Sequence, residues 1–207
     1  VVEHEPQLLM PRLAAALGGP ASVFTLGDGE TLNLATEAVG AAHGVIVIDL
    51  PAGRAATLVE RHAAVEGAAA NLAMLIRIGQ GAELHRIVEQ PASPGAVLVV
   101  TSGIELARAA RFRQTTLGFG ARLARLETHV EHAGDGAELA LDGAYLLGAG
   151  LHLDQTTQVR HTGPHGATTE LFKGAAAAGG KGVFQGKIYV DQAAQKTDAK
   201  MNHRGLL

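Results

Sequence analysis

The chain has 207 residues and a formal charge of −3, with 17 Lys and Arg against 20 Asp and Glu. This balance gives no broad basic field for nucleic-acid phosphates, and an aromatic content of 3% offers few base-stacking side chains, so we expect no nucleic-acid partner. The absence of Cys excludes disulfides and thiolate ligands from within the sequence. Without a long apolar run or a secretory signal, the sequence predicts a cytoplasmic protein that does not contact membranes.

The first predicted element is a short helix in QLLMPRLAAALGG. Leu8, Leu9, Leu13 and Leu17 recur at near-helical spacing, a proline fits the first turn, and glycine follows the last apolar residue. This helix lies in an N-terminal segment, residues 1–30, that we expect to be partly helical. From about Thr31 the pattern changes, and residues 31–207 are predicted to form the core domain.

The core domain is dominated by apolar and polar residues that alternate with a period of two, which is typical of strands with one buried face. In RLARLETHVE the inward residues would be Ala124, Leu126, Thr128 and Val130. The same alternation in NLAMLIRI, AELAL and VFQGKIYVD predicts further inward sets, namely Leu72, Met74, Ile76 and Ile78; Ala137, Leu139 and Leu141; Phe184, Gly186, Ile188 and Val190. The Ala-rich EGAAANLAML is the one stretch where a helix competes.

A small unit recurs at the starts of these strands, as GAEL, GARL and again GAEL at Gly81, Gly120 and Gly136. Such self-similarity is typical of repeat architectures. The unit does not recur at a fixed interval, which excludes a regular hexapeptide solenoid and leaves a solenoid with loops of unequal length. Long helical runs of the kind that separate the strands of a doubly wound sheet are missing after Gly40. The fold class predicted is therefore all-β.

The stretch GAAAAGGKGVFQGK, residues 174–187, superficially resembles a phosphate-binding loop. That loop requires G-x-x-x-x-G-K-[ST]. Counted from Gly174, the position after Gly179 is glycine instead of lysine; counted back from Lys187, Ile188 stands where the hydroxyl should be. The stretch is better interpreted as a Gly-rich turn between two strands.

The last 56 residues carry the most specific pattern. The blocks HLDQTTQVRHTGPHGATTELFKG and KGVFQGKIYVDQAAQKTDAKMNHRGLL resemble the core of the SufB/SufD family of iron–sulfur cluster assembly proteins, and residues 31–60 resemble it more loosely. The matching motif positions, expected to be structural, are His152, Asp154, Thr157, Val159, His161, Pro164, His165, Thr168, Phe172, Lys173, Gly174, Gly182, Phe184, Gly186, Lys187, Ala194, Gln195, Lys196, Thr197, Asp198 and Asn202. The resemblance implies a right-handed parallel β-helix, in agreement with the alternation.

Within the family the chain looks closer to SufD, because a SufB would be expected to carry a cysteine around MNHRGLL. The resemblance then implies a non-enzymatic scaffold subunit that pairs with a SufB-like protein and a SufC-like ATPase. A homodimer through stacked strands is a further expectation. Because the family continues into an interface segment and helices after this motif, we expect the core to be truncated at its C-terminus. An iron–sulfur cluster is expected only within the complex, and none on this fragment alone.

The histidines raise the question of a metal site. His129 and His132 are three apart, so on a strand they point to opposite faces. His161 and His165 flank a Gly-Pro turn that could bring the two imidazoles together as ligands for iron or zinc. The alternative is that both serve the turn structurally, and the sequence names no third ligand.

Two other functions fit an all-β solenoid. A carbohydrate-active enzyme would use paired carboxylates, such as Glu127 with Glu131 or Asp154 with Asp191, although residues four apart on a strand lie about 13 Å apart and no Trp is present for a sugar platform. A protein-interaction module, whose outer face binds a partner, would need no catalytic residues. Lys196 and Asp198, two residues apart, are expected to form an ion pair at the end of a turn.

Overall fold

The computed structural model describes residues 9–132 and 135–206, which form one helix and fourteen strands in these ranges. The elements are α1 (Leu9–Leu17), β1 (Ser22–Thr25), β2 (Glu30–Ala38), β3 (Ala41–Leu50), β4 (Ala55–Ala64), β5 (Ala69–Ile78), β6 (Glu83–Gln90), β7 (Val97–Leu106), β8 (Arg111–Gly118), β9 (Leu123–His132), β10 (Glu138–Leu147), β11 (His152–His161), β12 (Ala167–Ala176), β13 (Lys181–Val190) and β14 (Asp198–Leu206).

Successive strands alternate between two seven-stranded sheets. The odd-numbered strands form one sheet, here called the odd sheet, and the even-numbered strands form the even sheet. Every pairing between named strands is parallel and joins a strand to the one two places along. The chain is therefore a parallel β-solenoid of about seven turns, as predicted. Strand β1, which lies within the segment 1–30, already pairs with β3.

The alternation in the sequence sets which side chains enter the space between the sheets. In β9 the predicted inward residues Ala124, Leu126, Thr128 and Val130 are all buried. The Ala-rich stretch is strand β5, with Met74, Ile76 and Ile78 buried, because its apolar residues fill a two-residue period. Each fully buried Leu, Ile or Phe side chain contributes about 1.5–3 kcal/mol to the free energy of unfolding. The buried hydrophobic residues form one continuous core between the two sheets.

One predicted inward residue remains half-exposed. Val190 is 52% exposed, although Phe184 and Ile188 on the same strand pack against the core. The reason is that β13 is the last described strand of the odd sheet, so nothing described stacks on its far side. The Gly-rich stretch is, as predicted, the end of β12, a turn, and the start of β13.

From the turn between β3 and β4 onward, each turn of the solenoid passes one corner through a residue with positive φ. The residues at this corner recur at intervals of 27 to 31, and they are Gly53, Gly81, Ala109, Gly136, His165 and Lys196. The N–H of the first five donates to a carbonyl of the following corner, for example from Gly81 to Arg108 at 3.0 Å. The solenoid is therefore more regular than the GAEL-type units suggested, because Gly120 precedes a strand of the odd sheet whereas Gly81 and Gly136 precede strands of the even sheet.

Helix α1 lies against the odd sheet, on β3 and β5. Its boundaries agree with the predicted helix, except that Leu8 lies outside the described residues. The side that packs consists of small residues, since Pro11 and Ala14 are buried while Leu9 and Leu17 are more than 60% exposed. No helix among the described residues has the length and apolar character needed to span a membrane.

Candidate functional site

The interior of the solenoid contains a buried ion pair. Arg86 on β6 and Glu60 on β4 both point inward and are 1% and 0% exposed. The Nε and Nη2 atoms of Arg86 donate to the two carboxylate oxygens of Glu60, each at 2.8 Å. Such bidentate pairing is the geometry that best compensates the loss of water around both charges.

Further side chains complete the hydrogen bonding around this pair. His62 Nε2 lies 2.8 Å from Glu60 Oε2, and its Nδ1 lies 2.8 Å from Thr36 Oγ1. On the other side, Arg86 donates to Gln114 Oε1 and Ser102 Oγ, both at 2.9 Å. We call Thr36, Glu60, His62, Arg86, Ser102 and Gln114 the interior polar cluster. It joins both sheets across the core.

The pKa of Glu60 is controlled by two opposing effects. Burial alone would raise it, but the positive charge of Arg86 and the hydrogen bonds from His62 and Arg86 outweigh burial and lower the pKa of Glu60 to about 2. Glu60 is therefore ionised at neutral pH, and the interior polar cluster has a charged centre.

Polar side chains continue beyond the cluster toward the last strands. Gln114 Nε2 donates to Thr128 Oγ1 at 3.1 Å, and Thr157, next to Thr128 in the register, donates to Glu170 Oε2 at 2.7 Å. Burial raises the pKa of Glu170, an effect that the Thr157 hydrogen bond opposes. Both amide atoms of the buried Gln155 and Glu170 Oε1 have no hydrogen-bond partner among the described residues.

Two buried histidine rings are in contact at the corner between the sheets. His132 and His161 are aligned on β9 and β11, both are 0% exposed, and their ring centroids lie 4.3 Å apart. Burial, with the proximity of His161, lowers the pKa of His132 to about 3; burial also lowers the pKa of His161. His161 Nε2 lies 3.0 Å from Thr168 Oγ1. Both rings are therefore neutral at physiological pH.

The structure separates the two histidines predicted as a metal pair. His161 lies in the interior, whereas His165 is exposed at the corner, with a φ of 59°. Gly166 follows His165 because a Cβ there would lie 2.5 Å from His161 Nδ1. Residues 9–132 and 135–206 contain no group of three or more His, Cys, Asp or Glu arranged to hold a metal. Metal binding by His161 and His165 stays a prediction.

The motif positions on β11 and in the turn after it divide between the two faces. His152 begins β11; Asp154 points outward and accepts from Arg125 at 3.0 Å. Thr157 points inward toward Glu170. The Pro164 carbonyl accepts the Gly136 N–H at 3.1 Å, which joins two corners.

The glycines of the motif lie where neighbouring side chains cross the interior. A Cβ at Gly174 or Gly182 would come within 1.8 Å or 2.7 Å of the Tyr145 ring, and one at Gly186 within 2.2 Å of Met201. Phe184 packs against Phe172, with ring centroids 4.6 Å apart. These glycines leave room for the larger residues of adjacent turns.

The last block of the motif forms a corner and the strand after it. Thr197 Oγ1 donates to the Ala194 carbonyl at 2.9 Å, and Asn202 lies on β14. The expected ion pair of Lys196 with Asp198 is wrong. Lys196 holds the positive-φ corner position, and Asp198 pairs with Lys200 at 3.2 Å, because residues two apart on β14 share a face.

Other motif positions lie on the same strands. Lys173 points outward from β12, next to Arg204 of β14 in the register. Three of the four carboxylates considered for sugar cleavage are engaged by arginines. Glu127 and Asp154 both bind Arg125, and Asp191 binds Arg160 at 3.2 Å. This engagement disfavours the carbohydrate-active alternative.

The sequence interpretation missed Glu60, Arg86 and His132 as interior residues. Arg86 follows Glu60 by 26 residues, and His161 follows His132 by 29, close to one turn of the solenoid. A search for polar residues one turn apart at inward positions would have found both contacts.

Residues 33–207 match the sequence model of the family described as "SUF system FeS cluster assembly, SufBD core domain". The chain is also similar to an iron–sulfur cluster assembly SufBD family protein, slr0076, of Synechocystis sp. (strain ATCC 27184 / PCC 6803 / Kazusa). The two are 27% identical over 137 residues, which cover 66% of this chain and 30% of the relative.

Proposed function

Because the chain belongs to the SufBD core family of the SUF iron–sulfur cluster assembly system, we propose that it is a scaffold subunit of that system, resembling SufD. In this role it pairs with a SufB-like subunit and acts with a SufC-like ATPase in the cytoplasm. The observation that carries the proposal is the family match over residues 33–207, which spans nearly all of the solenoid.

The absence of cysteine supports a SufD-like role over a SufB-like one. Thiolates are the usual protein ligands of iron–sulfur clusters, and this sequence has none. The cluster is the cargo of the assembly, so its thiolate ligands would come from another subunit. The aligned region covers 30% of the relative's length, and the pairing with SufB-like and SufC-like proteins is therefore proposed here.

A non-enzymatic role is supported by how the ionisable groups are engaged. Arg86 and Glu60 are paired with each other between the sheets, and the outward carboxylates Glu127 and Asp154 share Arg125. Such groups stabilise the stacking of turns. A scaffold needs this rigidity, whereas a catalytic acid or base must reach a substrate.

The experiment is a pull-down of the natural full-length protein, co-expressed with SufB-like and SufC-like proteins. Iron and sulfide are measured in the recovered complex, and its stoichiometry is determined by light scattering. A stoichiometric complex that carries both elements is expected. Recovery of the protein alone and without iron would overturn the assembly role. Recovery of a self-dimer only would mean that the protein forms a homodimer and does not pair with the SufB-like subunit.

The predicted metal role of His165 has its own test in the same complex. His165→Asn removes the imidazole while keeping a residue that tolerates positive φ, so the corner should remain intact. An unchanged iron content per complex identifies His165 as a corner residue only. A loss of iron with an unchanged melting temperature identifies it as a ligand.

A further inference from the structure

The outer face of the odd sheet is apolar beside helix α1. Two rows of aligned residues cross β3, β5, β7 and β9: Val45, Ala73, Thr101 and Glu127 in one, and Val47, Leu75, Gly103 and His129 in the other. Each row starts apolar and ends polar at β9. An outward face of a solenoid sheet would ordinarily meet water, so this apolar area requires an explanation.

Helix α1 turns this area into a cavity. Pro11 and Ala15 of the helix form one wall, and Val47, Leu75 and Gly103 of the sheet form the floor. The volume is ≈ 230 Å³. An apolar cavity of about 150 Å³ is large enough to bind benzene. The cavity therefore has room for one substituted aromatic ring.

Gly103 is the residue that opens the cavity. In the row of Val47, Leu75, Gly103 and His129 it is the only position without a side chain. A Cβ built on Gly103 would find its nearest neighbours, Leu75 Cδ1 and the Met74 carbonyl, at 3.9 Å. The backbone does not require glycine at this strand position, because its φ is not positive. The space next to Gly103 is thus open and could be filled by a larger side chain.

The polar wall of the cavity contains an unpaired imidazole nitrogen. His129 Nε2 is buried and makes no hydrogen bond among the described residues; Glu127 Oε2 lies 3.9 Å away, close enough for electrostatic attraction but too far for a hydrogen bond. Glu127 itself accepts from Thr101 at 3.1 Å and from Arg125 at 2.6 Å. Because the charges of this wall are already paired, a neutral ligand is favoured over an ion.

From the cavity size, its apolar floor and the unpaired His129 Nε2, we propose a binding site for a small neutral aromatic molecule that carries a hydroxyl group. The ring packs over Gly103 between Leu75 and His129. The hydroxyl reaches His129 Nε2, and it can donate or accept, so it fits either tautomer of the imidazole. This inference is independent of the proposed assembly function.

The test uses phenol as the probe and toluene as a control of similar shape without a hydroxyl. Binding to the full natural protein is followed by chemical shifts of the His129 ring and the Gly103 amide. For a ligand of this size we expect saturation with a dissociation constant on the order of 1 mM. His129→Phe keeps a ring but removes the nitrogen. It should weaken phenol binding by about 3- to 10-fold, the effect of one neutral hydrogen bond, and leave toluene binding unchanged.

Gly103→Val is the variant that fills the cavity. Valine suits a strand, and the space around Gly103 admits the side chain, so the protein should remain folded with an unchanged or higher melting temperature. Both probes should lose saturable binding in this variant. Retention of binding in Gly103→Val, equal effects of His129→Phe on both probes, or no saturation in the natural protein would each overturn the proposal.

Discussion

Replacing Arg86 with Met is predicted to lower the free energy of unfolding by most of the contribution of one buried ion pair. Methionine keeps the length of the side chain and removes the charge, which leaves the fully buried Glu60 without the two hydrogen bonds that Arg86 donates. The pKa of Glu60 is about 2 against an ordinary 4.5, a difference worth about 3 kcal/mol at neutral pH. Breaking a buried pair from one side costs about 3–5 kcal/mol. We expect a loss in that range from a total of about 5–15 kcal/mol.

The assay is guanidinium denaturation at pH 7, followed by circular dichroism. Arg111→Met is the matched control, because Arg111 lies 3.5 Å from Glu138 at the surface and should cost less than about 1 kcal/mol. The folded pKa of Glu60 is below the unfolded one. The stability it contributes is therefore present above about pH 4.5 and is lost as the pH falls toward about 2. An Arg86→Met loss no larger than that of Arg111→Met would refute this account of the interior polar cluster.

Two further predictions concern the later turns. The pKa of buried His132 is about 3 against an ordinary 6.5, so the unfolded chain binds protons first and stability should fall as the pH drops from about 6.5 toward 3. His132→Phe should make the melting temperature less sensitive to pH in that window, and an unchanged slope would contradict the role of His132. At Gly143 a Cβ would lie 2.3 Å from Phe172 Cδ1, so Gly143→Ala should destabilise by about 1–3 kcal/mol in urea denaturation. Gly40→Ala, with nothing within 4 Å, should change stability by less than about 0.5 kcal/mol, and equal losses in the two variants would exclude the clash.

The strands could be predicted from the sequence because their pattern is local. In β9 and β10 the two-residue alternation alone identifies which side chains are buried, and the structure agrees. The resemblance of residues 152–207 added the parallel stacking, which alternation cannot distinguish from antiparallel pairing. Both predictions depend on residues close together in sequence.

The interior contacts could not be predicted in the same way, because they join residues one turn apart. The corner residues would have revealed the turn length, but Ala109, His165 and Lys196 take the place of glycine there, so counting glycines hides the interval. Without that interval, nothing in the sequence distinguishes Glu60 and Arg86 from ordinary polar residues of separate strands. Without the turn length, the contact between the rings of His132 and His161 could not be predicted either.

We expect the interior polar cluster also to influence how neighbouring strands of a sheet are aligned in register. A strand that slips by two residues keeps its inward face inward, so the alternation of inward and outward residues does not by itself distinguish these two registers. Such a slip of β6 would move Arg86 from opposite Gln114 to opposite Thr116 or Phe112. A double variant with Glu60→Leu and Arg86→Met would lose the polar contacts that specify the register of β6. Apolar packing of the new side chains would offset the energy of the lost ion pair.

We expect the double variant to recover most of the stability lost in Arg86→Met and to show more than one set of amide resonances for β4 and β6. The two measurements separate stability from specificity. A double variant as destabilised as Arg86→Met would mean that the interior space cannot accommodate the apolar side chains. A stable double variant with a single set of resonances would mean that the corner hydrogen bonds, such as Gly81 N–H to the Arg108 carbonyl, fix the register without the ion pair.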